Sequence, residues 1–289
     1  MGRMDGMRID LHTHSSISDG TDTPAELVAA AVSAGVDVIG LCDHDTFDGL
    51  DAAGAAGERL GVRVVRGIEI SAEHHGVSVH LLGYGCRVED GPLNDELARI
   101  RDGRTGRIPA MLDRLAAAGM PIDDVLDDFV GDSPSVGRPH LADAMIAKGY
   151  VSDRREAFDS YLADGGPMFV ARYATPLQVG LDLVRAAGGA GVIAHPWGRV
   201  SRDQLPPELL AGLARSGRLD GLEVDHQDHD RATRTELRAL AADLGLLATG
   251  SSDYHGTGKQ DHDLACNTTA PEVLDELAAR VTRRGGRFV

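Results

Sequence analysis

Metal-capable side chains recur at the ends of successive apolar runs along this chain, and that recurrence constrains the fold more than any other feature. The run "MRIDLH" reads as a strand and leads into His12, His14 and Asp19. The next strand, "VDVIGLCDHD", ends in Asp43, His44 and Asp45. "VRVVRGIEIS" carries Glu69, and "GVSVHLLGYG" carries His80. Three later strands follow: "AGVIAHP" with His195, "LDGLEVDH" with Glu223 and His226, and "LLATGSSDYH" with Asp253 and His255. Helical patterns separate most of these strands; "TPAELVAAAVSAG" places Thr23 and Pro24 at a helix start and Gly35 at its end. Alternation of this kind predicts an α/β chain with a mostly parallel sheet or barrel. In such barrels the C-terminal strand ends and the loops after them form one working face. Residues two apart on a strand share a face, so His12 and His14 can aim at one ion, and Asp253 and His255 stand in the same relation.

Between about residues 95 and 166 the pattern changes. Four helices are expected there, within "DELARIRDGRTGRIPAMLDRLAAAG", "PIDDVLDDFV", "GRPHLADAMIAKG" and "DRREAFDSYLAD", with no strand among them. The chain therefore divides into a barrel formed by residues 1–94 and 167–289 and an inserted helical domain over 95–166, expected to act as a lid.

Composition narrows the chemistry. A net charge of −16 disfavours binding of long duplex nucleic acid, which depends on Lys and Arg neutralising phosphates. Bound cations would reverse the local field and admit a small phosphorylated substrate. Imidazoles and carboxylates without thiolates suit Zn, Mn or Fe, and nine or more candidate ligands call for two or three divalent ions. The three cysteines are odd in number and widely spaced, which fits a reducing cytoplasm and no disulfide framework. No apolar run is long enough for a membrane span, and the N-terminus has no secretory signal pattern. His74 and His75 flank a hairpin turn, and His229 and His262 lie in acidic loops; all four are expected at the surface. Cys42 is expected to pack rather than ligate, and the arginine-rich stretch from Arg231 to Arg238 to be a solvated helix face.

The ordered motifs "HTHSSISDG", "DHD", "GIEIS", "HLLGY", "AHP", "GLEV" and "GSSDYH" resemble the PHP family, named for polymerase and histidinol phosphatase domains. The helical insert with its "GRPH" is similar to the nucleotide-acting phosphoesterases of that family, as is Asp rather than His at position 19. The resemblance implies a distorted (β/α)7 barrel. It implies one metal on His12, His14, Glu69 and Asp253, a second on Glu69, His80 and His195, and a third on Asp19, His44 and His255. It also implies a metal-dependent phosphatase acting on nucleotide monoesters, 3′,5′-bisphosphates or AMP, through a metal-bridged hydroxide. Alternatives are a 5′→3′ exoribonuclease on short 5′-phosphorylated RNA, a histidinol-phosphate phosphatase, and a metal-binding scaffold without catalysis.

Within that expectation Asp253 orients the nucleophile and His226 protonates the leaving oxygen or touches substrate. Asp45 and Glu223 orient imidazoles rather than ligate. Arg138 can grip a phosphate bidentately, with His140 reaching the same group. Partners are limited to a small phosphorylated substrate, a nucleotide or short oligonucleotide, with no membrane; oligomeric state is left open.

Overall fold

The computed structural model describes residues 6–130, 137–163 and 165–289. Residues 131–136 and 164 of the expected helical insert lie outside the described residues, and so does Val136 of the "VGRPH" segment. Strands β1 (Ile9–Thr13), β2 (Val38–Leu41) and β3 (Arg63–His74) alternate with helices α1 (Pro24–Ser33) and α2 (Leu50–Leu60) and pair in parallel. Strand β4 (Val77–Tyr84) turns back on β3 as an antiparallel partner. Helices α3 (Gly91–Ala117), α4 (Asp123–Val130), α5 (Arg138–Ala147) and α6 (Arg154–Ala157) follow, the last running into a π-helical turn, Phe158–Leu162. The barrel then resumes with β5 (Thr175–Pro176), α7 (Leu177–Ala186), β6 (Ala190–Ile193), α8 (Pro207–Arg215), β7 (Gly221–Asp225), α9 (Arg231–Leu244), β8 (Leu247–Gly250) and α10 (Pro271–Arg283).

Lateral order is β1-β2-β3-β4-β6-β7-β8. Main-chain contacts beyond β8 bring the sheet back to β1: Asp253 N donates to His12 O at 2.9 Å and His14 N to Tyr254 O at 2.9 Å. The result is a nearly closed, distorted barrel, as the sequence led us to expect. Seven strands were expected, and eight are described. The added one, β5, is a two-residue pairing beside β3 that periodicity could not reveal.

The signals at α1 read as they should. Thr23 accepts from Glu26 N while Glu26 accepts from Thr23 N at 2.9 Å, a reciprocal cap with Pro24 in the first turn. Inside, Leu11, Val65, Leu82, Tyr84 and Val192 pack against Leu274 and Leu277 of α10. Cys42 belongs to the same buried cluster. A separate apolar cluster joins Met111, Leu115, Leu126, Leu141, Met145 and Leu162, all from the helical segment. Helix α3 is shared. Its first half sends Leu93, Leu97 and Ile100 into the barrel's core, and its second half sends Ile108, Met111 and Leu115 into the helical one. Apolar packing thus changes hands inside α3, later than residue 95.

Close packing of β1 on β2 requires Gly40. A Cβ there would stand 2.2 Å from Leu11 O and 2.7 Å from Leu11 C, both backbone atoms that cannot swing aside. Gly40→Ala is therefore expected to lower stability by about 2–3 kcal/mol. A shift of the urea midpoint at unchanged slope measures it.

Candidate metal centre

Glu69 stands in the middle of β3, 1% exposed, with five imidazoles around it. Oε1 lies 2.7 Å from His80 Nδ1 and 3.3 Å from His195 Nε2. Oε2 lies 3.4 Å from His12 Nε2, 3.1 Å from His14 Nε2 and 3.2 Å from His44 Nδ1. Each carboxylate oxygen therefore faces its own set of ring nitrogens. Asp253 Oδ1 faces the same side as Oε2, 3.5 Å from His12 Nε2 and 3.3 Å from His14 Nε2. The two histidine Nε2 atoms are 3.0 Å apart. A cation about 2.1 Å from its donors spaces them by about 3.0 Å in octahedral and about 3.4 Å in tetrahedral geometry. The donor spacings of His12, His14, Glu69 and Asp253 fall on that scale, so these residues fit a divalent cation.

Two further groupings of converging donors lie beside the first. One is His44, Glu69 and His80; the other is His14, Asp19, His44 and His255. In the latter, His255 Nε2 is 3.3 Å from Asp19 Oδ1 and His44 Nε2 is 3.7 Å from Asp19 Oδ2. The nine side chains expected as ligands are thus drawn to one end of the barrel. His44 stands between two groupings, and His195 approaches through Glu69 Oε1 alone among the groups named.

Electrostatics reflects the crowding. Burial would raise the Glu69 carboxyl, but His80, His44 and His12 outweigh it and hold it well below the usual range. Asp253 is likewise held low against burial, by Lys259, His12 and His255. Burial alone would lower His14, yet hydrogen bonds to Asp253 and Glu69 carry it to about 9. His195 goes the other way, pushed well down by burial and then by the Arg199 charge, which leaves its ring neutral.

Serine–carboxylate clamps hold the ligand-bearing loops. Asp43 accepts from Ser15 N at 2.8 Å, Ser15 Oγ at 2.7 Å and Ser18 Oγ at 2.6 Å, fixing the turn that carries Asp19. Asp45 accepts from Ser71 N and Oγ at 2.7 and 2.9 Å, tying the His44 loop to β3. Asp10 accepts from Ser252 N and Oγ at 3.0 and 2.6 Å and from Ala265 N at 2.8 Å. Glu223 pairs with His12 Nδ1 at 3.0 Å, accepts from His195 N at 2.8 Å and accepts from Ser251 Oγ. Glu223 thus contacts an imidazole, that of His12, whereas Asp45, expected to orient an imidazole, is tied to Ser71 instead. Asp45, His195 and Asp253 have φ of +57°, +31° and +54°, a left-handed backbone that costs of order 1–3 kcal/mol each and clusters at working sites.

Two placements differ from the expectation in their cause. His80 does not follow its strand; it lies inside β4, three residues from its start. Because β4 runs antiparallel to β3, its first half is the part at the ligand face, and His80 pairs with Ser71. Asp253 and His255 do not share a strand face, since β8 ends at Gly250. They converge through the loop, where His255 Nδ1 contacts Asp253 O at 2.8 Å.

His226 is fully buried, with Nδ1 accepting from Asp228 N at 3.1 Å and Nε2 3.4 Å from Asp253 Oδ2. Arg138 donates to Leu162 O at 2.9 Å and lies over the Phe158 and Phe169 rings, while His140 accepts from Gly137 N at 3.0 Å at the start of α5. Neither belongs to the donor groups above. His74 and His75 sit at the β3–β4 turn as expected, but His229 and His262 are buried, 3% and 7% exposed. Sequence reasoning missed Arg199 and Lys259. Arg199 Nη2 donates to Asp253 Oδ2 at 2.8 Å, and Lys259 Nζ donates to the same oxygen. A single cation in a glycine-rich loop leaves no periodic trace; the only hint was that both follow ligand motifs, "AHPWGR" and "DYHGTGK".

Residues 10–122 match the PHP domain family. A 3′,5′-nucleoside bisphosphate phosphatase of Chromobacterium violaceum is 33% identical over 282 residues, covering 95% of this chain and 98% of that protein. A 5′–3′ exoribonuclease of Haemophilus influenzae is 31% identical over 248 residues, covering 86% of this chain and 90% of that protein. A solved Bifidobacterium adolescentis structure, described as a metal-dependent phosphoesterase, superposes with a TM-score of 0.89 at 33% identity, covering 95% of this chain and 96% of the other.

The Glu223–His12 contact yields a specific expectation. Glu223→Gln loses a charged acceptor for the His12 ring and should weaken divalent-cation affinity about 10–100-fold. Titration calorimetry on the purified protein checks it; unchanged affinity would remove Glu223 from the support of the centre.

Proposed function

The chain belongs to the PHP family of metal-dependent phosphoester hydrolases, and from that premise we propose that it releases inorganic phosphate from small nucleotides, 3′,5′-bisphosphates or AMP. The observation that carries the proposal is the Glu69 carboxylate, whose two oxygens face separate sets of imidazole nitrogens at 2.7–3.4 Å. In this reading one cation would be held by His12, His14, Glu69 and Asp253, a second by Glu69, His80 and His195, and a third by Asp19, His44 and His255. Mixed nitrogen and oxygen donors suit Mn²⁺, Fe²⁺ or Zn²⁺. Bound there, such cations would activate water and offset charge on the phosphoryl oxygens.

The chain's own groups supply the rest. Asp253 is a divided carboxylate: Oδ1 faces His12 and His14, and Oδ2 faces His226, Arg199 and Lys259. It can orient the attacking water and take its proton. His226 Nδ1 accepts a backbone hydrogen bond, so the neutral ring carries its proton on Nε2, directed at Asp253 Oδ2. Burial lowers His226, which keeps the ring neutral, so Nε2–H can hydrogen-bond the leaving oxygen, and the proton which that oxygen takes up would be the one Asp253 accepts from the attacking water.

The helical segment abuts the loops of the centre, which supports a lid role. Arg101 of α3 donates to Asp45 O at 2.6 Å. Arg154 of α6 reaches the loop beyond His255, where a Cβ on Gly258 would meet its guanidinium at 2.5 Å. Three free cysteines suit a reducing cytoplasm, and no helix among the described residues is long and apolar enough to cross a membrane.

A 5′→3′ exoribonuclease acting on short 5′-phosphorylated RNA is the competing reading, favoured by the Haemophilus match. A phosphate-release screen with Mn²⁺ against nucleoside 3′,5′-bisphosphates, AMP, histidinol phosphate and 5′-phosphorylated oligoribonucleotides separates the two. The expected outcome is phosphate from the bisphosphate or AMP; stepwise nucleotide release from RNA alone would favour the exonuclease. Asp253→Asn should cut turnover at least about 100-fold and reduce bound metal, and wild-type turnover with full metal would sink its assignment. His226→Asn should slow alkyl phosphate esters about 100-fold yet spare p-nitrophenyl phosphate, whose leaving group needs no proton. Equal losses on both esters would deny His226 a contact with the leaving oxygen.

A further inference from the structure

Helix α3 is shared by the two apolar cores, and its middle is unlike its ends. Ile100 is buried in the barrel's core and Ile108 in the helical one. Helical periodicity runs through this hand-over without a break; what marks it is composition. Gly103, Gly106 and Pro109 follow one another there, in the interior of a 27-residue helix. Glycine and proline are the poorest helix formers, and proline also lacks the N–H that would bond the carbonyl four positions back.

The two glycines are there for different reasons. A Cβ on Gly103 would stand 3.1 Å from Tyr173 Cβ and 3.3 Å from Tyr173 N, so α3 lies directly on the segment that returns the chain to the barrel. Tyr173 belongs to the barrel's side. Its ring packs against the barrel's core, Arg99 stacks over it at 3.9 Å, and its hydroxyl donates to Glu96. Arg101 stays on that side too, donating to Asp45 O at 2.6 Å. Gly106 has no such neighbour. A Cβ there would meet no atom within 4 Å beyond its own stretch of helix, its φ is not left-handed, and both it and Pro109 are exposed. Neither packing nor backbone conformation asks for glycine at 106; alanine fits and makes a stronger helix.

The chain enters the helical segment through the middle of α3 and leaves it between Met168, of the helical core, and Tyr173. Entry and exit therefore touch at the Gly103–Tyr173 contact, where a rotation of the segment needs least rearrangement. Elsewhere the segment meets the loop beyond His255 through the Arg154 guanidinium against Gly258. Arg154 donates to Asp143 Oδ1 and Oδ2 at 2.7 and 2.6 Å, inside the helical segment, and makes no hydrogen bond to that loop among the described residues. That contact can part without costing Arg154 a hydrogen bond.

We propose that α3 is a hinge between Ile100 and Ile108, about which the cluster of Met111, Leu115, Leu141, Met145 and Leu162 swings as one body over the loops that carry the Glu69 centre, admitting substrate and releasing product. The Gly103–Tyr173 contact is the pivot, and Gly106 and Pro109 let the helix bend. The gating part of this inference rests on the phosphoesterase reading; the hinge itself does not.

Hydrogen exchange on the whole protein locates the hinge without turnover. Amides from residue 103 to 110 should exchange at least about 10-fold faster than those at 94–100 before them and 111–116 after them. Gly106→Ala should slow them about fivefold, and Gly106→Ala together with Pro109→Ala on the order of 100-fold. Spin labels at Arg155→Cys and Arg231→Cys, both exposed, read the swing in a Cys266→Ser background, where Cys42 and Cys86 are buried. Wild type should give a broad or two-peaked distance distribution and the Gly106→Ala, Pro109→Ala variant a single narrow one. Even protection along α3, or the same distribution in both proteins, would overturn the hinge. The stiffened variant should also turn over about 10-fold more slowly at equal metal content, and unchanged kcat and KM would overturn the gating. Wild-type protein that releases phosphate from no substrate of the screen would bring down the phosphoesterase reading and the gating with it, while exchange and distances would still decide the hinge.

Discussion

Burial of the Glu69 carboxylate is the constraint on which the rest of this structure depends. A negative charge 1% exposed inside a barrel is tolerable only where positive or hydrogen-donating groups surround it. Here the surrounding groups are five imidazoles from five segments of the chain, β1, the loops after β1, β2 and β6, and β4. Each of those segments must end at the same height for the charge to be met, so strand lengths, loop turns and the reversed direction of β4 are all tied to one side chain. The same logic extends outward through Asp253 and Asp19, which are buried, acidic and faced by histidines. A set of carboxylates held this far below their usual range is primed for divalent cations, and whatever binds only the assembled set stabilises the fold by mass action.

Much of this was legible in the chain because strand ends are local. "HTH", "DHD", "GIEIS" and "AHP" each announce a polar group where an apolar run stops, and a parallel α/β fold gathers such stops at one end. At two places the residue joins the cluster by a different route from the one the sequence suggested. His80 works because β4 runs backward, and strand direction is not written in an alternation of apolar and polar residues. Asp253 and His255 meet through a left-handed turn at Asp253, a conformation that local sequence does not specify for an aspartate.

What stayed hidden was held together by long-range contacts. Asp10 clamps Ser252 across 242 positions, and Asp43 clamps Ser15 and Ser18 across the first two loops. Serines and aspartates in loops look like turn formers, and only the fold shows that their hydroxyls are spent on buried carboxylates. His229 and His262 were hidden differently: acidic neighbours suggested a solvated loop, and Asp228, Asp230, Asp261 and Asp263 are indeed exposed, but the two imidazoles between them turn inward. The division inside α3 was hidden because a continuous helix gives no boundary signal. Its apolar stripe simply changes partners between Ile100 and Ile108.

The charge of the chain now has a finer meaning than its total. With a net charge of −16 the molecule repels long polyanions over most of its surface. Around the centre a few cations gather: Arg101 and Arg154 on the side of the helical segment, Arg172 just before β5, and Arg199 and Lys259 beside Asp253. Field lines from so few cations, set within an acidic body, fall off within about one Debye length of roughly 8–10 Å. A small phosphorylated molecule fits inside that distance and a long duplex does not. The acidity that makes binding of long nucleic acid unfavourable in general is therefore compatible with the small phosphorylated substrate proposed for this place.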